Sequence, residues 1–229
     1  MSARIQRIAA LTFRPNMFKP IRWKTFPRDF LVIQVGFALF GLSIALLIRA
    51  NLGTGPWAML EVALSQIFGL TPGTMSVIVG FVVLGGVLIL RERIGWGSLG
   101  NIMFIGPWED LALYFIPSVT GNLLLQVAML LAGIVIMGIA SAVYIGVDAG
   151  AGPRDSLMLA VKRLSGRSLR LARGAIEVTL VLVAWLLGGP AGIGTVVFAI
   201  LIGPSIQWAF KLFNVQPHRP GEAELGIAK

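Results

Sequence analysis

The sequence predicts an all-α polytopic membrane protein, on three observations: its composition, its long apolar runs and an internal repeat. Apolar residues make up 56% of the 229 positions and charged residues 13%, against roughly 45–50% and 25% in soluble domains. So few charges cannot cover the surface of a soluble chain of this length. Lipid solvates apolar side chains directly, and the length leaves room for about six to eight helices of ~20 residues.

The long runs fall at 30–49, 75–90, 99–116, 123–147, 175–187 and 195–213. The fifth is short unless it extends back through 170–174. Two briefer segments remain, 57–68 and 154–164. As helix each measures roughly 17 Å, too short for a ~30 Å hydrocarbon core. Both follow a Gly/Pro turn, Gly53-Thr-Gly-Pro56 and Gly150-Ala-Gly-Pro153.

These two segments are copies of one pattern. A gapless shift of 97 residues carries Gly36 onto Gly133 and Gly41 onto Gly138. The same shift carries Gly53, Gly55 and Pro56 onto Gly150, Gly152 and Pro153, and Ile105-Gly-Pro107 onto Ile202-Gly-Pro204. Asn51 meets Asp148. Each half reads as long helix, turn, short helix, long helix, Gly-rich turn, long helix. The expected organisation is a basic cytoplasmic arm at 1–29, membrane repeats at 30–122 and 123–213, and a polar cytoplasmic tail at 214–229.

Charge sets the orientation. The net charge is +9, and seven of the 19 Lys/Arg precede Phe30. A basic segment beside an apolar helix is held on the cytoplasmic side by anionic head groups, which displaces the nucleic-acid reading of a basic chain. If the short segments dip in and return, each half crosses three times and the second half is inverted. Arg91, Arg93, Arg154 and the cluster Lys162, Arg163, Arg167, Arg170 and Arg173 then share the N-terminal side, and Arg49 alone is left outside. If they cross fully, eight spans result and Arg91, Arg93 and Arg154 move outside. Charge bias and segment length favour six spans.

A helix that stops inside a membrane leaves its first N–H groups to protein, water or a ligand. Pro56 and Pro153 suit the first helical position, where no N–H is needed. Two positive helix starts would converge on a polar or anionic group; the alternative is a pair of tight packing turns. Charges at membrane depth need explanation too. Arg173 and Glu177 share a helical face, and with Arg154 and Asp155 they form a candidate cluster under the second turn. Glu109 and Asp110 follow Pro107, where they could hold a cation, relay protons or simply mark a wetted helix end. Asn101 reads as a helix–helix hydrogen bond. Candidate solute-binding positions are Asn51, Gly53, Thr54, Gly55, Glu61, Asp110, Asp148, Gly150, Gly152, Arg154, Asp155, Arg173 and Glu177.

Chemistry is narrowed by what is missing. With no cysteine, and His218 the one histidine, thiolate sites and embedded His triads are excluded. Neither an enzyme, a metal site nor a cofactor is expected. Gly95-Trp-Gly-Ser-Leu-Gly100 matches a dinucleotide fingerprint literally, but no strand precedes it.

Asn51-Leu-Gly-Thr-Gly-Pro-Trp57, Gly150-Ala-Gly-Pro-Arg-Asp-Ser-Leu-Met158, Arg173-Gly-Ala-Ile-Glu177 and Leu187-Gly-Gly-Pro-Ala-Gly-Ile-Gly-Thr195 resemble the bacterial YczE-like membrane proteins, which are distantly related to the YitT group. The resemblance covers roughly 30 to 213. It implies a multi-pass protein of the bacterial cytoplasmic membrane and carries no substrate or catalytic residue set. The expected function is a secondary-transporter-like permease for a small polar or anionic solute, with both termini cytoplasmic. The alternative is an accessory or regulatory protein that holds partners through its basic face. Expected partners are the bilayer with its anionic head groups and a small polar solute; nucleic acid is not expected, and a homo-oligomer stays open.

Overall fold

The computed structural model describes residues 18–92, 94–150 and 152–215. Arg4, Arg7 and Arg14 of the basic arm, Arg93, and the tail with His218 lie outside the described residues. Among the described residues the fold is helical, with a single β-bridge from Phe18 to Ile94. The helices are α1 (Phe26–Arg49), α2 (Pro56–Phe68), α3 (Pro72–Ile89), α4 (Trp96–Phe115), α5 (Leu123–Gly146), α6 (Pro153–Ser165), α7 (Leu169–Leu186) and α8 (Ile193–Leu212).

Local chemistry explains the boundaries. Proline occupies the first turn of α1, α2, α3 and α6, where its fixed φ helps and its missing N–H is no loss. Thr71, Asn122 and Ser168 cap α3, α5 and α7 through their side-chain oxygens. Gly69 and Gly166 stop α2 and α6 in the left-handed conformation. The short fifth run does extend back, since α7 begins at Leu169. The two short helices run to 13 residues each.

Four helices, α1, α3, α5 and α8, are long and apolar enough to cross a membrane by length and composition. α4 and α7 have 20 and 18 residues but carry Glu109 and Asp110, and Arg170, Arg173 and Glu177 respectively. Large side chains such as Leu124, Ile89 and Leu186 are more than three-quarters exposed, as a lipid-facing surface requires and a water-facing one does not.

α1 and α5 pack against each other along their length. Glycines let the backbones approach, the usual device where lipid removes the hydrophobic drive for helix pairing. A Cβ at Gly36 would sit 3.2 Å from the Tyr144 Cβ, and one at Gly133 3.0 Å from Leu47. Ser43 Oγ donates to the Gly133 carbonyl at 2.7 Å. α4 packs on α1 at Gly41, where a Cβ would lie 2.5 Å from the Glu109 nitrogen. α8 packs on α5 at Gly138, against Ser205. The core follows: Ile33, Phe37, Ile44 and Tyr144 form one buried cluster, and Leu47, Leu130, Ile134 and Ile202 another.

Hydrogen bonds identify which helix ends lie together. At the basic end, Lys19 pairs with Asp148 and Arg22 donates to the Val147 carbonyl at 2.7 Å. The Lys19 amide reaches the Ile94 carbonyl, and Arg163 binds Glu92 at 2.7 Å and the Leu90 carbonyl. At the opposite end, Arg49 donates to the Leu113 carbonyl. There Gln126 donates to Ala50 at 2.8 Å and Asn51 to Ser118 at 2.6 Å.

Candidate functional site

The starts of both short helices face one internal cavity of about 310 Å³. Gly55 and Pro56 line it from α2, Gly152 and Pro153 from α6. Both glycines are N-caps in extended conformation without a side-chain cap, so the first N–H groups of α2 and α6 are left to the cavity side. Gly55 is fixed by Phe198, whose ring would be 2.8 Å from an added Cβ.

Charged side chains complete the wall. Arg154, in the first turn of α6, binds the Glu61 carboxylate of α2, approaches Ser76 Oγ at 3.3 Å and lies 5.0 Å from the centre of the Trp57 ring. Asp155 accepts the Tyr144 hydroxyl at 2.6 Å. Arg173 Nε donates to Glu177 at 2.7 Å along α7. Arg154, Asp155, Arg173 and Glu177, one group on sequence grounds, therefore line one cavity. Glu61 stands behind Arg154, fully buried, with its second oxygen lacking a donor among the described residues.

The remaining candidates lie elsewhere. Gly53, at φ 101°, packs against Gly192, and Gly150, at φ 118°, against Gly95. Neither lines the cavity; both let loops touch backbone to backbone. Thr54 is buried and donates to the Gly55 carbonyl at 3.3 Å. Asn51 ties its turn to Ser118 and Val119. Asp148 is spent on Lys19 at the basic end. Asp110 caps α3, accepting from the Gly73 N–H at 2.9 Å and the Thr71 hydroxyl at 2.5 Å.

Several wall residues carried no sequence signal. Tyr144 and Ser141 sit in the long apolar run of α5, and Ser76 among glycines and valines in α3. A hydroxyl in an apolar helix is ordinary, and only the fold aims it. Asn101 lines the cavity beside Gly152.

The model of the "Family of unknown function (DUF6198)" matches residues 27–211. The chain is 33% identical over 193 residues to the "Uncharacterized membrane protein YczE" of Bacillus subtilis, covering 82% of this chain and 85% of that protein. An uncharacterized protein of Haemophilus influenzae is 28% identical, over 87% of this chain and 91% of its own. The "Uncharacterized protein YyaS" of Bacillus subtilis is 29% identical, over 74% and 86% respectively. No solved structure matches.

Proposed function

Since the chain belongs to this family of unknown function, with a bacterial membrane protein among its relatives, we propose that it is a secondary-transporter-like permease for a small polar or anionic solute. The observation that carries the reading is the convergence of two helix starts and Arg154 on one cavity. Two helix starts and a guanidinium favour a carboxylate-like group, and Trp57, Tyr144 and Phe198 supply apolar wall.

The finer architecture in this proposal is an inverted duplication, the plan of many secondary transporters. Its support is geometric. Phe26 to Leu123 and Arg49 to Gly146 are both 97 positions, and the same interval separates both bounds of every later pair. Contacts exchange under that shift: Gly97 N donates to the Ala149 carbonyl at 3.1 Å, and Gly194 N to the Leu52 carbonyl at 2.6 Å.

Both ends of α2 stay at the Arg49 end of the bundle. Leu52 precedes it there, and Thr71 follows it beside Asp110, near the end of α4. Both ends of α6 stay at the basic end, between Ala149 and the Arg163 contact with Leu90. In this reading α2 and α6 dip in from opposite faces and six helices cross, with the termini cytoplasmic.

The halves differ where alternating access needs them to. Gly73 packs against Gly106, closing α3 on α4. The corresponding positions are Arg170 and Gly203, and a Cβ at Gly203 would meet nothing within 4 Å among the described residues. The cavity reaches that gap, lined by Arg173 and Glu177 of α7 and by Ile206 and Phe210 of α8.

The test is a thermal-shift screen of the detergent-purified protein against small mono- and dicarboxylates, followed by flux in liposomes. A stabilising carboxylate whose effect and flux are lost in Arg154→Gln is expected. No stabilising solute, with Asp155→Asn and Arg173→Gln strains behaving as wild type, would defeat the proposal.

A further inference from the structure

Two carboxyls lie fully buried in the bundle, and a guanidinium meets one of them. Glu61 and Glu109 are each 0% exposed. Arg154 is bound to one oxygen of Glu61. The other Glu61 oxygen and both oxygens of Glu109 meet no donor among the described residues. The charged groups within electrostatic reach of Glu109 are Glu61, Arg154 and Asp110.

The neighbouring charges are otherwise engaged. Asp110 accepts two hydrogen bonds at the start of α3. Arg173 is held by Glu177 on its own helix, and Asp155 accepts from Tyr144. Arg49 donates to the Leu113 carbonyl, one turn beyond Glu109, while its Nε meets no acceptor among the described residues. Arg154 is the one cation in contact with either carboxyl among the described residues, and it meets Glu61 alone. An ionised carboxylate with neither cation nor donor is strongly disfavoured in hydrocarbon, and it neutralises instead.

We propose that Glu61, Arg154 and Glu109 form a proton site, with one proton resident on Glu109 and a second taken up by Glu61 when an anion occupies the cavity. This rests on the cavity being a solute site. Arg154 belongs to both places, since its guanidinium holds Glu61 while the residue lines the cavity. An anionic group entering the cavity competes with Glu61 for that guanidinium. When Arg154 turns to the solute, Glu61 loses its cation. Hydronium from the cavity water then gives up a proton, an O–H bond forms on Glu61 and water remains. One negative charge and one proton have entered, so the net charge of the cluster is unchanged. Solute transport of this kind is proton–anion symport, and its electroneutrality avoids carrying a net charge through a low-dielectric interior.

The experiment is infrared spectroscopy of the full chain in liposomes, read at the carbonyl stretch of protonated carboxyls. The wild type is expected to show this band at neutral pH, and Glu109→Gln to lose it. Arg154→Gln, which leaves Glu61 without its cation, is expected to double it. A wild type without the band, or a band untouched by Glu109→Gln, overturns the proposal and needs no Arg154 variant. A folded Arg154→Gln protein whose band does not grow removes the second proton. The band tests the proton site apart from transport: if it behaves as expected and no carboxylate is carried, the permease reading alone fails.

Discussion

Gly53 and Gly69 both hold positive φ, yet they answer different needs. Gly69 ends α2, and an added Cβ there meets nothing within 4 Å. Gly53 has the added demand of Gly192, whose nitrogen would be 2.6 Å from a Cβ. Left-handed backbone alone costs an L-residue about 1–2 kcal/mol. Gly69→Ala should therefore lower stability by about that amount. Gly53→Ala should lose a further ~1–3 kcal/mol for overpacking, because, besides the Thr195 hydroxyl, the colliding atoms are Gly192 backbone and cannot rotate away. Thermal unfolding of both variants in detergent would check the order; equal losses would mean that the loop contact yields. Among the described residues the positive-φ glycines therefore fall into two classes, which spacing alone does not separate.

Within a helix, a charge expected from sequence to hold a cation, relay protons or mark a wetted end can serve as a cap. Asp110 sits in an apolar run after a proline, where a cation or proton-relay role is a natural expectation. It instead accepts from the first turn of α3 together with Thr71. Asp110→Ala should cost about 1 kcal/mol of thermal stability, the usual value of a helix cap, and should leave solute binding intact. A variant that folds normally but loses binding would return Asp110 to the site. Glu109, its neighbour, turns inward and is fully buried. Adjacent positions on a helix point about 100° apart, so a pair of carboxylates in sequence need not act as a pair.

For the bundle as a whole, the decisive question is where the loops on either side of α3 emerge. The hydrogen bonds put Thr71 beside the end of α4, and Leu90 beside the end of α6. Cysteine introduced for Leu70 and for Arg91 should react with an impermeant maleimide from opposite faces of the membrane, Arg91→Cys from the face that carries Lys19. Labelling of both from one face would remove the six-crossing arrangement and with it the inverted repeat. The open gap between α7 and α8 follows the same asymmetry. At an offset of 97 residues, Arg170 and Glu177 of α7 correspond to Gly73 and Gly80 of α3.

The helices themselves were legible in order and nearly in extent. Apolar period, prolines at helix starts and glycines at stops are local features, and they act on the backbone wherever the chain lies. The grouping of Arg154, Asp155, Arg173 and Glu177 was legible too, because two of them share a turn and two share a helical face. What no local pattern contained was the partner of each charge. Arg154 meets Glu61 across 93 positions, Tyr144 of α5 meets Asp155 of α6, and Asp148 is claimed by Lys19 at the basic end. Side-chain direction follows the backbone, but what a side chain meets depends on how distant helices pack, and that packing settles which polar residues face the cavity and which merely hold the frame.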